Sequence, residues 1–147
     1  MISIVGAGPV GAYLARKLAN EGEDVRLFEE HPNIGRPVQC AGIVSKNIKN
    51  FVRIDKEFVL NTIHGARIYS PNGECFEIKG NKEAYILDRA KFDNYLVEKA
   101  LDESVELYLG YKFLSREKGN LIFDHGGFKT DILVGADGPL SPVAKNT

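Results

Sequence analysis

The segment GAGPVG at residues 6–11 puts glycine at three positions where a side chain would obstruct a phosphate-binding turn. Gly6 suits a tight turn, Gly8 lets backbone approach a pyrophosphate, and Gly11 lets the following helix sit close to the preceding strand. A helix opened by such a loop offers free N–H groups and a partial positive charge to an anion. Glu29 follows 18 residues after Gly11, where a carboxylate can accept a ribose 2′-hydroxyl and repel a 2′-phosphate. A plain βα turn with a solvated strand-end acid would need the same residue types. Strand, three glycines, helix and acid in order favour a dinucleotide site.

A second constellation closes the chain. DILVGADGPLS at 131–141 carries an apolar run into Gly135, Ala136, Asp137 and Gly138. An acid flanked by glycines at the carboxyl end of a strand can bring carboxylate and amide to a ligand, whereas an isolated Asp-Gly would be an ordinary turn. A third stretch, GRPVQCAGIVS at 35–45, holds Arg36, Pro37, Cys40 and Gly42. Arg36 offers a planar guanidinium for phosphate, and the proline after it favours an extended conformation. Cys40 reads equally as a buried small hydrophobe or as a thiol beside a redox site. Cys75 reads as structural. His31, His64 and His125 lack ligand spacing and read as surface or loop residues, so no metal site is expected.

The elements that must hold these residues follow from apolar periodicity. ISIV at 2–5 and DVRLFEE at 24–30 are strand-like. Between them Val10, Leu14 and Leu18 recur at helical spacing beside Ala12, Ala15 and Ala19, and Gly22 suits the helix end. Strand, helix and strand within about 30 residues make a parallel βαβ unit. Ser45 and Asp55 are placed to cap short helices carrying Ile48 with Phe51, and Phe58 with Val59. Residues 66–79 form a hairpin around PNG, and AYIL at 84–87 a further strand. Asp88 caps a helix from Arg89 to about Leu101 with Phe92, Tyr95, Leu96 and Ala100 towards the core. VELYL at 105–109 returns to the sheet, and runs at 111–116, 120–124 and 128–134 form a β-meander leading into VGADG. The expected fold class is α/β. It is a Rossmann-like domain with a central parallel sheet, a β-meander and a small hairpin insertion, forming one domain over 1–147.

Bulk composition is neutral. The chain has 147 residues, 44% hydrophobic and 27% charged, with a net charge of −1, and so carries no basic footprint for nucleic acid. Lys46, Lys49 and Lys56 read as a solvated face. No apolar run nears the ~20 residues that span a bilayer. The first strand follows Met1 directly, leaving no room for a leader, and a cytoplasmic location is expected.

GAGPVG, LFEE, GRPVQCAGIVS, AYILDRAKFDNYL and VGADGPLS occur in the order found in the FAD-binding half of the geranylgeranyl reductases. The chain resembles that family, part of the para-hydroxybenzoate hydroxylase-like flavoprotein group, over nearly its whole length. The resemblance implies FAD as cofactor and the saturation of isoprenoid double bonds in lipids. It implies that Gly6, Gly8, Pro9 and Gly11 hold the pyrophosphate, Glu29 the adenosine ribose, Arg36 the diphosphate or the ribityl side, and Arg89 the phosphates. It also implies that Cys40, Ala41 and Gly42 face the flavin ring, with Cys40 as the catalytic candidate, and that Gly135, Asp137 and Gly138 meet the ribityl chain or pyrophosphate. The arginine that often follows the Asp-Gly motif is absent; Lys145 is the nearest cation. An isoprenoid or lipid substrate would be held by a further domain, with peripheral membrane contact compatible with such a substrate. The electron donor stays open among a nicotinamide, a ferredoxin and a deazaflavin. Because the chain stops at Thr147, a fragment, a split subunit and a non-catalytic nucleotide-binding module remain alternatives, as does a flavin monooxygenase or halogenase.

Overall fold

The computed structural model describes residues 1–146, apart from the side chains of Asn81 and Lys82. The residues read as one domain fall into two compact units, Met1–Pro37 with the chain from Phe92 onward, and Val38–Lys91.

The first unit is built on a four-stranded parallel sheet. Strand β1 (Ile2–Val5) leads through the glycine turn into helix α1 (Pro9–Asn20), which returns to strand β2 (Val25–Glu29). All four residues of β1 are buried, as expected of a strand covered on both faces. Helix α1 ends where Gly22, at φ +89°, turns left-handed and its N–H donates to the Ala19 carbonyl at 2.9 Å. The face that α1 buries is Gly11, Ala12 and Ala15. Of the expected residues, Ala12 and Ala15 are buried, Leu14 and Leu18 are half-buried, and the correction falls on Val10, which is 73% exposed. A helix held close to its strand has room only for small side chains, so the alanine face turns inward.

Later elements complete this unit. Helix α2 (Arg89–Leu101) buries Phe92, Leu96, Val97 and Ala100. Strands β6 (Glu106–Leu109) and β10 (Ile132–Gly135) join the sheet in the order β10-β1-β2-β6, with every pairing parallel. The meander of β7 (Phe113–Glu117), β8 (Asn120–Phe123) and β9 (Gly126–Lys129) is a separate antiparallel sheet. The expected run 128–134 is therefore two strands. Buried Thr130 makes the corner, its hydroxyl donating to the Ile132 carbonyl at 2.8 Å, and Asp131 N–H donates to the Met1 carbonyl at 3.2 Å. Aromatic packing joins meander and sheet, with Phe28 fully buried and its ring 4.4 Å from Phe123 and 5.0 Å from Tyr108.

In the second unit, strand β3 (Ile43–Ser45) leads into a short 3-10 helix at Lys46–Asn50, then to β4 (Val59–Tyr69) and β5 (Cys75–Leu87), in sheet order β3-β5-β4. The hairpin is longer than expected and absorbs the 84–87 strand into β5, closing where Gly73 N–H donates to the Ser70 carbonyl at 2.9 Å. No helix follows Asp55. Its carboxylate accepts Glu57 N–H at 3.0 Å in a local turn, and the chain enters β4 at Val59. Cys75 is exposed at the start of β5. Asp88 heads α2 as expected, its carboxylate accepting Lys91 N–H at 3.2 Å.

Candidate functional site

The parallel sheet sets the site, because its strands all end on one edge. Val5 of β1 lies opposite Phe28 of β2 and Gly135 of β10, so the segments leaving these three strands emerge side by side. Gly6 N–H donates to the Phe28 carbonyl at 2.8 Å, and Ala136 N–H donates to the Val5 carbonyl at 2.7 Å. The glycine loop is thus held between the ends of β2 and β10.

Each glycine of the motif has a distinct physical reason. Gly6 has φ +103°, and a side chain there would collide with the Ala136 carbonyl. A Cβ at Gly11 would strike the Gly6 carbonyl and press on Ala136. At Gly8 φ is −68°, and nothing lies within 4 Å of where a Cβ would stand. Gly8 is therefore free of any internal demand, and the space beside it is available to a ligand. It is the N-cap of α1, with Pro9 opening the helix and no acidic residue in the first turn. The Val10 and Gly11 amides point out of the first turn without an intrahelical acceptor. Amide donors, an open cradle and no competing carboxylate suit a pyrophosphate.

Glu29 sits at the end of β2 with its side chain 15% exposed. One carboxylate oxygen, Oε2, accepts Ala7 N–H at 3.0 Å, tying the acid to the glycine loop. The other, Oε1, accepts His31 N–H at 3.1 Å and lies 2.6 Å from His31 Nδ1. His31, read from sequence as a surface or loop residue, thus touches the acid of the site. Its only sequence signal was its place two residues beyond that acid.

Asp137 turns its carboxylate onto its own segment. Oδ1 accepts the Ser141 hydroxyl at 2.6 Å and Oδ2 accepts Val143 N–H at 2.9 Å, holding the short helix α3 (Pro142–Lys145) in place. Ser141 Oγ accepts Ala144 N–H at 3.0 Å. Gly135 and Gly138 are exposed, the latter at φ +79°. Arg36 is exposed and pairs with no carboxylate among the described residues, and the Arg36–Pro37 peptide is cis. The first unit therefore brings Gly6, Gly8, Pro9, Gly11, Glu29, Gly135, Asp137 and Gly138 to the carboxyl edge of one sheet.

The second unit holds the other predicted residues. Cys40 is exposed and in no disulfide, its Sγ accepts Gly42 N–H at 3.5 Å, and Ala41 is exposed beside it. Gly42, at φ +72°, is packed against the Leu87 carbonyl and the Arg89 side chain, so that only glycine fits. Leu87 N–H donates to the Gly42 carbonyl at 2.9 Å. Lys49, read as part of a solvated face, lies over the Tyr85 ring at 5.2 Å, and contact with the Tyr85 hydroxyl raises its pKa. Among the described residues no group of three or more His, Cys, Asp or Glu could hold a metal ion, and no helix is long and apolar enough to cross a membrane.

Comparison with known proteins agrees with this architecture. Residues 4–76 match the family model described as an NAD(P)-binding Rossmann-like domain. The digeranylgeranylglycerophospholipid reductase of Methanosarcina acetivorans is 33% identical over 98% of this chain and 39% of its own length. That of Methanoculleus marisnigri is 39% identical over 72% of this chain and 28% of its own length. A crystal structure of a geranylgeranyl bacteriochlorophyll reductase-like protein from Thermoplasma acidophilum superposes with a TM-score of 0.79 at 29% identity, over 93% of this chain and 38% of that one. The flavin-dependent brominase Bmp2 shares the fold alone, at a TM-score of 0.71 and 19% identity. The chain spans 39% of the length of the first of these relatives. In sequence and in fold it matches the N-terminal part of the geranylgeranyl reductase family.

Proposed function

We propose that the chain is the FAD-binding part of a flavin-dependent reductase that saturates isoprenoid double bonds of lipids. The observation that carries this is the 33% identity, across 98% of the chain, to a protein named digeranylgeranylglycerophospholipid reductase. The open space at Gly8 and the donor set around it fit a dinucleotide pyrophosphate.

FAD, when bound, supplies the hydride chemistry, and the protein supplies binding, orientation and electrostatics. In this reading Gly6, Gly8, Pro9 and Gly11 hold the pyrophosphate with the first-turn amides of α1, and Glu29 accepts the adenosine ribose. Arg36 and Arg89 serve the phosphate side. Gly135 and Gly138 allow close backbone approach, and Asp137 keeps that turn in shape while its spare lone pairs remain open to the ligand. Cys40, Ala41 and Gly42 form the wall towards the flavin ring, where the Cys40 thiol is the proton-handling group. Residues 1–147 act together as one dinucleotide-binding domain. The lipid and the electron donor belong to the length that the relatives have beyond this chain.

The purified chain supplied with FAD is expected to be yellow and to hold flavin through gel filtration. Gly8→Val should lose that uptake while keeping its melting temperature, because the added side chain meets ligand and not protein. Joining residues 1–147 to the remaining part of the Methanosarcina acetivorans relative should give a protein that reduces a geranylgeranyl lipid when chemically reduced. Cys40→Ala in the chimera should turn over more slowly with FAD still bound. A wild-type chain that takes up no FAD would remove the proposal, and a chimera that binds FAD but consumes oxygen to hydroxylate or halogenate would replace reductase by oxygenase.

A further inference from the structure

We infer that His31 is a positioning residue for ribose recognition: it fixes the Glu29 carboxylate so that one oxygen lone pair is left for a ligand hydroxyl. The inference rests on the dinucleotide-binding proposal above and adds a residue that neither sequence motif nor resemblance singles out.

The geometry is a count of acceptor sites. An ionised carboxylate has about four lone-pair directions. Three are occupied: Oε2 takes Ala7 N–H at 3.0 Å, and Oε1 takes both His31 N–H at 3.1 Å and the imidazole Nδ1 at 2.6 Å. Nδ1 stands at hydrogen-bond distance from Oε1, and against an ionised carboxylate, which only accepts, it is the nitrogen that donates. Oε1 is thereby saturated from inside the protein, and the fourth direction, on Oε2, remains.

The histidine is itself anchored. Its carbonyl accepts Gly110 N–H at 3.3 Å, and the Glu29 carbonyl accepts Tyr111 N–H at 2.9 Å. The segment leaving β2 is therefore stitched to the end of β6 on both sides of residue 30. The Glu29 side chain is 15% exposed and that of His31 36%. The carboxylate is thus largely enclosed, with the imidazole lying against Oε1. Without His31 the carboxylate could rotate and return Oε1 to water. Each such rotation would spread the single acceptor direction over several, lowering the preference for a hydroxyl at one place.

The test reads discrimination, not folding. In the wild-type chain ADP, measured by displacement of FAD, should bind roughly ten- to a hundredfold more tightly than 2′-deoxy-ADP, the range for a hydrogen bond to a charged group. In His31→Ala and in His31→Phe that ratio should fall to within about threefold, mainly through weaker ADP binding. The melting temperature should move little. His31→Asn carries an amide N–H near the position of Nδ1 and should recover most of the ratio. Two variants that lack the donor guard against one of them failing to fold.

A His31→Ala or His31→Phe protein that binds FAD and keeps the wild-type ratio overturns the inference while leaving dinucleotide binding intact. So does a wild-type protein that binds both ligands equally. A wild-type protein that binds neither FAD nor ADP overturns the dinucleotide proposal, and this inference with it.

Discussion

Gly6, Gly8 and Gly11 look alike in the sequence, yet the folded chain needs only two of them for itself. Gly6 holds a left-handed φ of +103° against the Ala136 carbonyl, and a Cβ at Gly11 would strike the Gly6 carbonyl. Gly8 sits at φ −68° with open space beside it. Gly6→Ala and Gly11→Ala should therefore each lower stability, by more than the ~1 kcal/mol usual for a point change, because backbone must move to admit the methyl. Gly8→Ala should cost clearly less than either, since its φ is permitted and its space open, and a narrower unfolded ensemble offsets the poorer N-cap residue. Thermal melts of the three ligand-free variants check this. A Gly8→Ala protein as unstable as Gly6→Ala would mean that the loop, and not a ligand, demands the middle glycine.

At the scale of elements, β2 and β6 are joined by more than backbone. Arg26 and Glu106 are register partners, and both Arg26 Nε and the Tyr108 hydroxyl donate to Glu106 Oε2 at 2.9 Å. These two donors, the guanidinium first, hold the Glu106 carboxyl below its ordinary value near 4.5. A depressed folded-state pKa gives stability that is fully present above the unfolded value and lost as pH falls through the folded one. Glu106→Gln should thus melt slightly below the wild type at pH 7, with the gap closing below about pH 4.5. The effect is small because the pair is on the surface. A constant gap from pH 7 to pH 3 would assign the loss to packing.

The same scale shows what was readable in sequence. β1, the glycine turn, α1, β2 and the capped α2 were legible because each carries a strong local signal: a β-branched run, a glycine at a special φ, or Asp88 at an N-cap. Three features were not. The innermost face of α1 is set by close approach to the sheet, which admits Gly11, Ala12 and Ala15, leaves Leu14 and Leu18 half-buried and turns Val10 outward. The break at Thr130 depends on Met1, far away in sequence, through the Asp131 N–H bond. His31 meets Glu29 only once β2 ends and the chain turns back. The first two rest on contacts distant in sequence, which leave no local pattern to read, whereas the third is local and depends on where β2 ends.

For the whole molecule, the second unit carries a surface that its own fold does not use. In the β4–β5 ribbon the pairs Ala66–Ile78 and Ile68–Phe76 share one face, while Arg67 and Glu77, 3.3 Å apart, lie on the other. An alternating ribbon of this kind ordinarily turns its apolar face to a core. Here Phe76 is 66% and Ile68 55% exposed, and β4 is the outer strand of its sheet. An apolar face beside an open strand edge favours association between chains. The isolated 147-residue chain should therefore sediment as a concentration-dependent mixture. Ile68→Lys combined with Phe76→Glu places opposite charges at directly paired positions and should restore a monomer. Since that face buries little, the melting temperature at low concentration should stay within the range of ordinary surface substitutions, about 0.5 kcal/mol. A monomeric wild type at high concentration would show that twist and the charged face already suffice to keep chains apart. A large loss of stability in the double variant would show that Ile68 and Phe76 pack within their own unit more than their exposure indicates.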